Sequence, residues 1–459
     1  MPVGDRAFDS VDLRNAEMPS QWAFAAATGN TGQATSRISG LPRIIVAHPG
    51  EQHARRAAVG LQTGGMLAGY VTSFYYKKGG AWASFVGYLP TNIARWLDAE
   101  FCRRRNPEIN DFLVHSIIPI HELFCVMSTR LRLPEKTIMP LKRWRNRRFD
   151  KQIAKLVKRQ SPDAVIVYDS AALKTLAQCR TCATVGILDQ TVGHITAWKQ
   201  LLDEEMELHP KIFRNMNIPL PDKRLIEELT EEALSADWIL AGSEYTKNTL
   251  VRIGVRPERI KIIHYGADTG RFTPIKPEQR NRRKKFTLLF VGGIGVRKGV
   301  HYLLEAVRQL NHPQIELLLV GTIEGDKSWL ADYAGRFRHI PFVTHAKLCN
   351  IYRASDVVVL PSLHEGFSMV LIEAVASGLP VISTAHTGVP EMLKYGRCGF
   401  VVPIRDVEQL KLHIMLLFED QQLCQEMSVA ARNVAQHYSW DKYSERLVSL
   451  MKSIPCQNH

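Results

Sequence analysis

Glu365 and Glu373, eight positions apart with a glycine between them, are the two side chains in this sequence whose type and spacing point most directly to chemistry. They stand in Pro361-Ser362-Leu363-His364-Glu365-Gly366-Phe367-Ser368-Met369-Val370-Leu371-Ile372-Glu373-Ala374. Carboxylates so placed suit a ligand with a polar group at each end. Eight residues of ideal helix rise about 12 Å, comparable to the reach from a sugar across a diphosphate to a ribose. One carboxylate would then accept hydrogen bonds from sugar hydroxyls and the other from ribose hydroxyls. Phosphate would lie at the amides between them, because a helix N-terminus offers free N–H groups and a dipole that favours an anion. The same residues also fit a plainer picture, a solvated loop glutamate and a glutamate on an exposed helix face.

A second motif is Gly292-Gly293-Ile294-Gly295-Val296-Arg297-Lys298-Gly299. Glycines let backbone approach a ligand closely, and Arg297 and Lys298 bring two cations to the start of the helix that follows. Alone it is a basic turn. In the first half of the chain, Leu188-Asp189-Gln190-Thr191-Val192-Gly193-His194 follows an apolar run, so its polar residues are expected to face a cleft. His194 would bond a sugar hydroxyl or phosphate, and Asp189 would receive or orient an acceptor's proton. The alternative is a solvated loop histidine. His48, His53, Arg55 and Asp169 are weaker candidates for the same cleft.

The elements that must position these residues read as alternating strands and helices. Arg43 to Ala47 is a buried first strand, Glu51 to Gly69 a helix, and Val71 to Tyr75 the next strand. A long basic helical region leads to strands at 163–168, 183–188 and 238–241. After the polar run Lys276 to Lys285 come a strand at Phe286–Val291, a helix at Val300–Leu310 and a strand at Ile315–Val320. The run Asp356 to Leu360 is a strand ending at Pro361, and a helix begins near Ser368. Continuous apolar runs separated by helices indicate parallel, doubly wound sheets. The fold class is therefore α/β, with two Rossmann-like domains facing each other across a cleft. The expected division is a flexible leader at 1–40, an acceptor domain at 41–275, a linker at 276–285, a donor-nucleotide domain at 286–438 and a final helix at 439–459.

At 459 residues, 45% hydrophobic and 23% charged, the composition is that of a globular protein with two ordinary domains. No run of about 18 apolar residues is present, and the first forty residues lack the pattern of a signal peptide. Together with eight scattered cysteines, this suggests a cytoplasmic setting, with Cys179 and Cys182 structural or incidental. The formal net charge is +14. Between Arg130 and Arg159 twelve basic residues face only Glu135 and Asp150. Such a field suits nucleic acid, anionic lipid or an anionic acceptor, or is a solvated face. The aromatic and basic residues between Trp82 and Arg105 add weight to a membrane surface, though they also suit a core.

From Leu360 to Val402 the chain resembles the nucleotide-sugar signature of family 4 glycosyltransferases, through Pro361-Ser362, Glu365-Gly366-Phe367, Glu373-Ala374, Ala376 to Ile382, Gly388-Val389-Pro390-Glu391 and Gly396 to Phe400. Ala241 to Lys247, Ile262 to Asp268, Arg271 to Pro274 and Tyr438-Ser439-Trp440 extend the likeness over about Leu240 to Tyr443. The resemblance implies a GT-B fold whose last helix crosses back to the first domain. It implies retaining transfer of a hexose from a nucleotide diphosphate sugar to an acceptor hydroxyl, in polysaccharide or glycolipid synthesis. Glu365 would hold the donor sugar, with the Gly366, Phe367 and Ser368 amides lining sugar or phosphate. Gly293, Gly295, Arg297 and Lys298 would hold the diphosphate, and Glu373 the ribose. The leaving phosphate would help deprotonate the acceptor, with no metal and no cofactor. Many members carry an arginine where Gly293 stands, and Arg297 is placed to supply that cation from a neighbouring position. The expected partners are the donor, a carbohydrate or lipid-linked acceptor and an anionic membrane surface met through 130–159, with no nucleic acid. Rival readings are a nucleotide-sugar hydrolase or epimerase on the same fold, and a non-catalytic basic binding protein.

Overall fold

Parallel strands buried on both faces must be apolar throughout, and the apolar runs are where the strands form. A computed structural model of the chain describes residues 40–50, 53–77, 88, 90–102, 104–131, 133–213, 220–275 and 285–454. The first sheet consists of β1 (Ile44–His48), β2 (Leu67–Thr72), β3 (Val114–Ser116), β4 (Ala164–Tyr168), β5 (Val185–Gln190), β6 (Trp238–Ala241) and β7 (Ile260–Ile262). All its pairings are parallel, in the order β3-β2-β1-β4-β5-β6-β7. The second consists of β8 (Phe286–Val291), β9 (Ile315–Val320), β10 (Arg338–Ile340), β11 (Val357–Leu360), β12 (Val381–Thr384) and β13 (Gly399–Val402). It is also parallel, in the order β10-β9-β8-β11-β12-β13.

Each order reverses once, between β1 and β4 and between β8 and β11. In open α/β sheets ligands bind outside the carboxyl ends of strands at such a reversal. The loops leaving β8 and β11 are the glycine turn and the Glu365 segment. Those leaving β1 and β4 carry His53 and Asp169. Both sheets lie in one compact unit, residues 41–459. The Trp440–Ser453 helix ties them together by packing on the Ala54–Thr63 helix of the first lobe. A β-carbon on Gly60 would come within 2.7 Å of the Ser444 hydroxyl, so this approach requires glycine.

Three expectations change. The first helix ends at Thr63 rather than near Gly69, because Gly64 and Gly65 stop it, and β2 accordingly starts at Leu67. The basic stretch is less one-sided than its sequence suggests. Along the Glu135–Gln160 helix, Arg143 pairs with Asp222, Arg147 with Glu228 and Arg145 with Glu122, each at 2.7 Å. Acidic residues distant in sequence thus neutralise part of the field. The third concerns site residues and is taken up below. The expected leader 1–40 and linker 276–285 fall outside the described residues except for Gly40 and Lys285, and so do Trp82, Phe85 and Arg132.

Candidate active site

β8 delivers Arg297 and Lys298 on a short 3-10 turn, Val296–Lys298, while β11 delivers Glu365 four residues beyond Pro361. The Lys298 ammonium is bonded to Glu365 Oε2, and Arg297 Nη1 lies 3.4 Å from Oε1 and donates to the His364 carbonyl at 3.0 Å. Glu365 and Lys298 are 8% and 7% exposed. Burial alone would raise the Glu365 pKa, but Lys298 and Arg297 outweigh it and hold the carboxyl down at about 2. A charged carboxylate thus stands at the helix entrance with two cations against it.

The Glu365 loop touches the first lobe directly. Gly193 N–H donates to the Glu365 carbonyl at 3.0 Å, and Val192 bridges Gly366. A β-carbon on Gly366 would collide with the Thr191 carbonyl oxygen, which is why this position needs glycine. Phe367 turns inward, stacked on His264 with ring centres 4.8 Å apart. The Ser368 amide is not open to a ligand as expected. Ser368 begins the Met369–Ala376 helix, and its N–H donates to the Thr387 carbonyl at 3.0 Å.

Glu373 lies within that helix and accepts a hydrogen bond on Oε2 from the Tyr352 hydroxyl at 3.0 Å. Burial pushes its pKa up to about 7, against the pull of that bond. The two glutamates therefore differ in charge as well as in place.

Gly293 and Gly295 meet an unforeseen neighbour. A β-carbon on either would run into the Glu324 carboxylate, carried on the loop after β9. Burial raises the pKa of Glu324 while Arg297 and Lys298 pull it down. An internal carboxyl group thus lies in the turn whose glycines and cations suit phosphate. His364 was also missed. It accepts from the Tyr245 hydroxyl on Nδ1 at 2.7 Å, so Nε2 donates to the Gly193 carbonyl at 2.8 Å. Burial and Arg297 lower its pKa to about 4, which keeps the ring neutral. Neither residue has a sequence signal, because each acts through a partner remote in sequence.

In the first lobe, Asp189 is the next-to-last residue of β5 and is 2% exposed. Its Oδ2 lies 3.1 Å from His53 Nε2, and Oδ1 accepts from the Tyr265 hydroxyl at 3.1 Å. Nearby, Asp169 accepts from the Thr191 hydroxyl at 2.8 Å, and burial raises its pKa to about 6 against that bond. His53, ranked as a weak candidate from sequence, is therefore the partner of Asp189. His194 does not join them. It is 1% exposed and caps the Ile195–Leu208 helix, with Nδ1 on the Thr196 hydroxyl at 3.0 Å. A histidine just before a helix is well placed to satisfy its free amides, and here that local role prevails over a cleft-facing one.

Residues 272–434 match the family described as glycosyl transferases group 1. The chain is 29% identical over 241 residues to D-inositol 3-phosphate glycosyltransferase 1 of Catenulispora acidiphila, covering 48% of this chain and 58% of that relative. It thus spans little more than half the length of the curated relatives it matches. Among solved structures, sucrose-phosphate synthase from Thermosynechococcus elongatus superposes with a TM-score of 0.61 at 17% identity, over 89% of this chain and 98% of that one. Anabaena HepE in complex with UDP-glucose superposes with a TM-score of 0.56 at 15% identity, over 90% and 100% of the two chains. These likenesses identify the fold as GT-B. The matched stretch, residues 272–434, carries the group 1 glycosyltransferase pattern and takes in the second sheet, with its reversal point between β8 and β11.

Proposed function

We propose that this protein is a retaining glycosyltransferase that moves a hexose from a nucleotide diphosphate sugar to an acceptor hydroxyl. The observation that carries the reading is the meeting of Lys298, Arg297 and Glu365 at the reversal point of the second sheet. A diphosphate on the glycine turn would displace the Glu324 carboxylate and take over the two cations. Glu365 would then turn its oxygens to sugar hydroxyls. The departing nucleotide gains negative charge as the glycosidic bond breaks, so Lys298 and Arg297 act most strongly in the transition state. The leaving phosphate takes the acceptor's proton, and no protein nucleophile is assigned. The Glu373 Oε1 atom remains for a ribose hydroxyl, since Tyr352 occupies only Oε2. On the facing lobe, the His53–Asp189 pair orients the acceptor hydroxyl.

We also propose that the first lobe rests on an anionic membrane, which fits a lipid-linked acceptor in glycolipid or polysaccharide synthesis. The Pro119–Arg130 helix exposes Ile120, Phe124 and Met127 at helical spacing, followed by Leu131 and by Trp144 with Arg148 over its ring. Exposed Lys136, Lys151 and Lys155 continue along the next helix. Apolar side chains beside exposed lysines suit an interfacial helix. Among the described residues no helix is long and apolar enough to cross a membrane.

The test is turnover of UDP-, GDP- and ADP-hexoses in excess chelator, with carbohydrate and lipid-linked acceptors, scored by product and anomeric configuration. Transfer with retention is expected, undiminished by chelator. Release of free hexose at a rate indifferent to acceptor would instead make the protein a hydrolase. Restoration of activity only by manganese or magnesium would overturn the metal-free mechanism. Sedimentation with anionic vesicles should weaken as salt rises, and equal binding to neutral vesicles would reject the membrane reading.

A further inference from the structure

On the helix that follows the glycine turn, a buried polar cluster joins the two lobes. Glu205, on the Ile195–Leu208 helix of the first lobe, is fully buried. Its Oε2 lies 2.9 Å from His301 Nε2, and the Tyr302 hydroxyl donates to its carboxylate at 2.9 Å. Both partners sit on the Val300–Leu310 helix of the second lobe. Arg405, in the loop after β13, donates from Nε to Glu205 at 2.6 Å and from Nη1 to Glu204 at 2.8 Å. The Tyr302 hydroxyl in turn lies 2.9 Å from His209 Nε2. Burial raises the Glu205 pKa, but His301, Arg405 and Tyr302 together outweigh it and keep the carboxylate charged. Arg405 has φ +68°, a left-handed conformation that a non-glycine residue keeps only where its surroundings hold it.

The helix bearing Glu205 has a second attachment. Its entrance follows Gly193, whose N–H and carbonyl hold the Glu365 carbonyl and His364 Nε2. Ten residues of helix separate the two attachments by about 15 Å. The Trp440–Ser453 helix already joins the lobes, and two further contacts on one rigid rod restrain the angle between them.

We propose that Glu205, His301, Tyr302 and Arg405 form an interlobe clasp, and that Glu205 and Arg405 are positioning residues which set the angle at which the Glu365 loop faces the His53–Asp189 pair. The inference rests on the transferase reading above. It extends that reading to residues that touch neither donor nor acceptor. A nucleotide bound to the second lobe alone does not need the clasp, whereas transfer between lobes does. Loss of the clasp therefore separates turnover from nucleotide affinity.

Glu205, His209 and His301 also bring their ligand atoms within 4.8 Å of one another, as a divalent cation would require. The Arg405 guanidinium on the same carboxylate opposes a second cation there, and the hydrogen bonds are already complete on Glu205.

The experiment compares the full-length wild type with Glu205→Gln, Arg405→Gly and the double variant. Nucleotide affinity is measured by UDP calorimetry, turnover by UDP release from UDP-glucose with acceptor, and lobe spacing by small-angle scattering. Arg405→Gly keeps the backbone conformation and serves as the second variant should Glu205→Gln fold poorly. Each single variant is expected to bind UDP within about twofold of wild type while turnover falls about tenfold or more, with a broadened scattering profile. The double variant should be no worse than the worse single one, since both remove the same contact. Parallel losses of affinity and turnover, or unchanged turnover and scattering, would overturn the clasp. Stoichiometric zinc retained by the wild type and lost from Glu205→Gln would replace it with a metal site. A wild type that binds none of UDP, GDP and ADP refutes the transferase reading, while scattering still decides whether Glu205 and Arg405 hold the lobes.

Discussion

The two sheets present their reversal points to the same cleft, yet they fill them with opposite kinds of chemistry. At the second sheet the groups are ionic: Lys298 and Arg297 against a Glu365 held at a pKa of about 2. At the first sheet the carboxyls of Asp169 and Asp189 are paired with hydroxyls and an imidazole, and Asp169 is pushed up to about 6 by burial. A site that must hold a diphosphate needs fixed cations. One that must orient a hydroxyl and its proton needs groups that titrate nearer neutrality. Under the proposed function, the contrast would divide donor work and acceptor work between the two lobes.

The strongest way to break this contrast is Lys298→Met. It removes the main partner of a buried carboxylate and the main cation for the leaving phosphate. Turnover should fall about 10² to 10³-fold, and denaturant unfolding should show a loss of about 3 kcal/mol or more. Normal activity and stability would mean that the ionic half is only structural. Asp189→Asn sharpens the other half. It should cost about 10²-fold in turnover, the low end for a lost acid–base group, while UDP calorimetry stays at the wild-type value. Weakened UDP binding in that variant would blur the division between the lobes.

Glu373→Gln probes a glutamate whose pKa is raised, so the sign of its pH dependence is opposite to that of Glu365. The folded state binds the extra proton. Its contribution to stability is complete below the ordinary glutamate range and is lost as pH rises through about 7. Wild type should lose up to about 3 kcal/mol between pH 4.5 and 8 from this group, following about 1.4 kcal/mol per pKa unit. Urea melts of Glu373→Gln should lack that part of the slope, and an unchanged slope would show that Glu373 is not the titrating group. The smallest effect is expected from Glu324→Gln. Removing the carboxyl group that lies in the glycine turn should tighten UDP binding by up to about tenfold, or about 1.4 kcal/mol. Weaker binding would make Glu324 a ligand of the donor instead of its competitor.

The same contrast explains what could be read in the sequence. The donor loops are contiguous: Gly292 to Gly299 and Pro361 to Ser368 each follow one apolar strand, so their cations, glycines and carboxylate appear together. The strands themselves were legible because parallel strands must be apolar on both faces. The acceptor side is assembled from the ends of β1, β4 and β5 and from Tyr265, and nothing local marks His53 as the partner of Asp189. His194 misled because a residue between strand and helix serves a loop and a helix cap equally well by position. Its backbone placement decided for the cap. The Ser368 amide was lost to Thr387 for the same reason, since a helix start satisfies its amides with whatever carbonyl lies nearest.

Hydrogen exchange with and without UDP-glucose tests the donor assignment most directly, because it reports on segments and needs no substitution. Protection is expected in Gly292–Gly299 and in Leu363–Glu373, with the β5 loop around Asp189 unchanged until an acceptor is added. Protection confined to the first lobe, or absent from both donor segments at saturating UDP-glucose, would contradict the account.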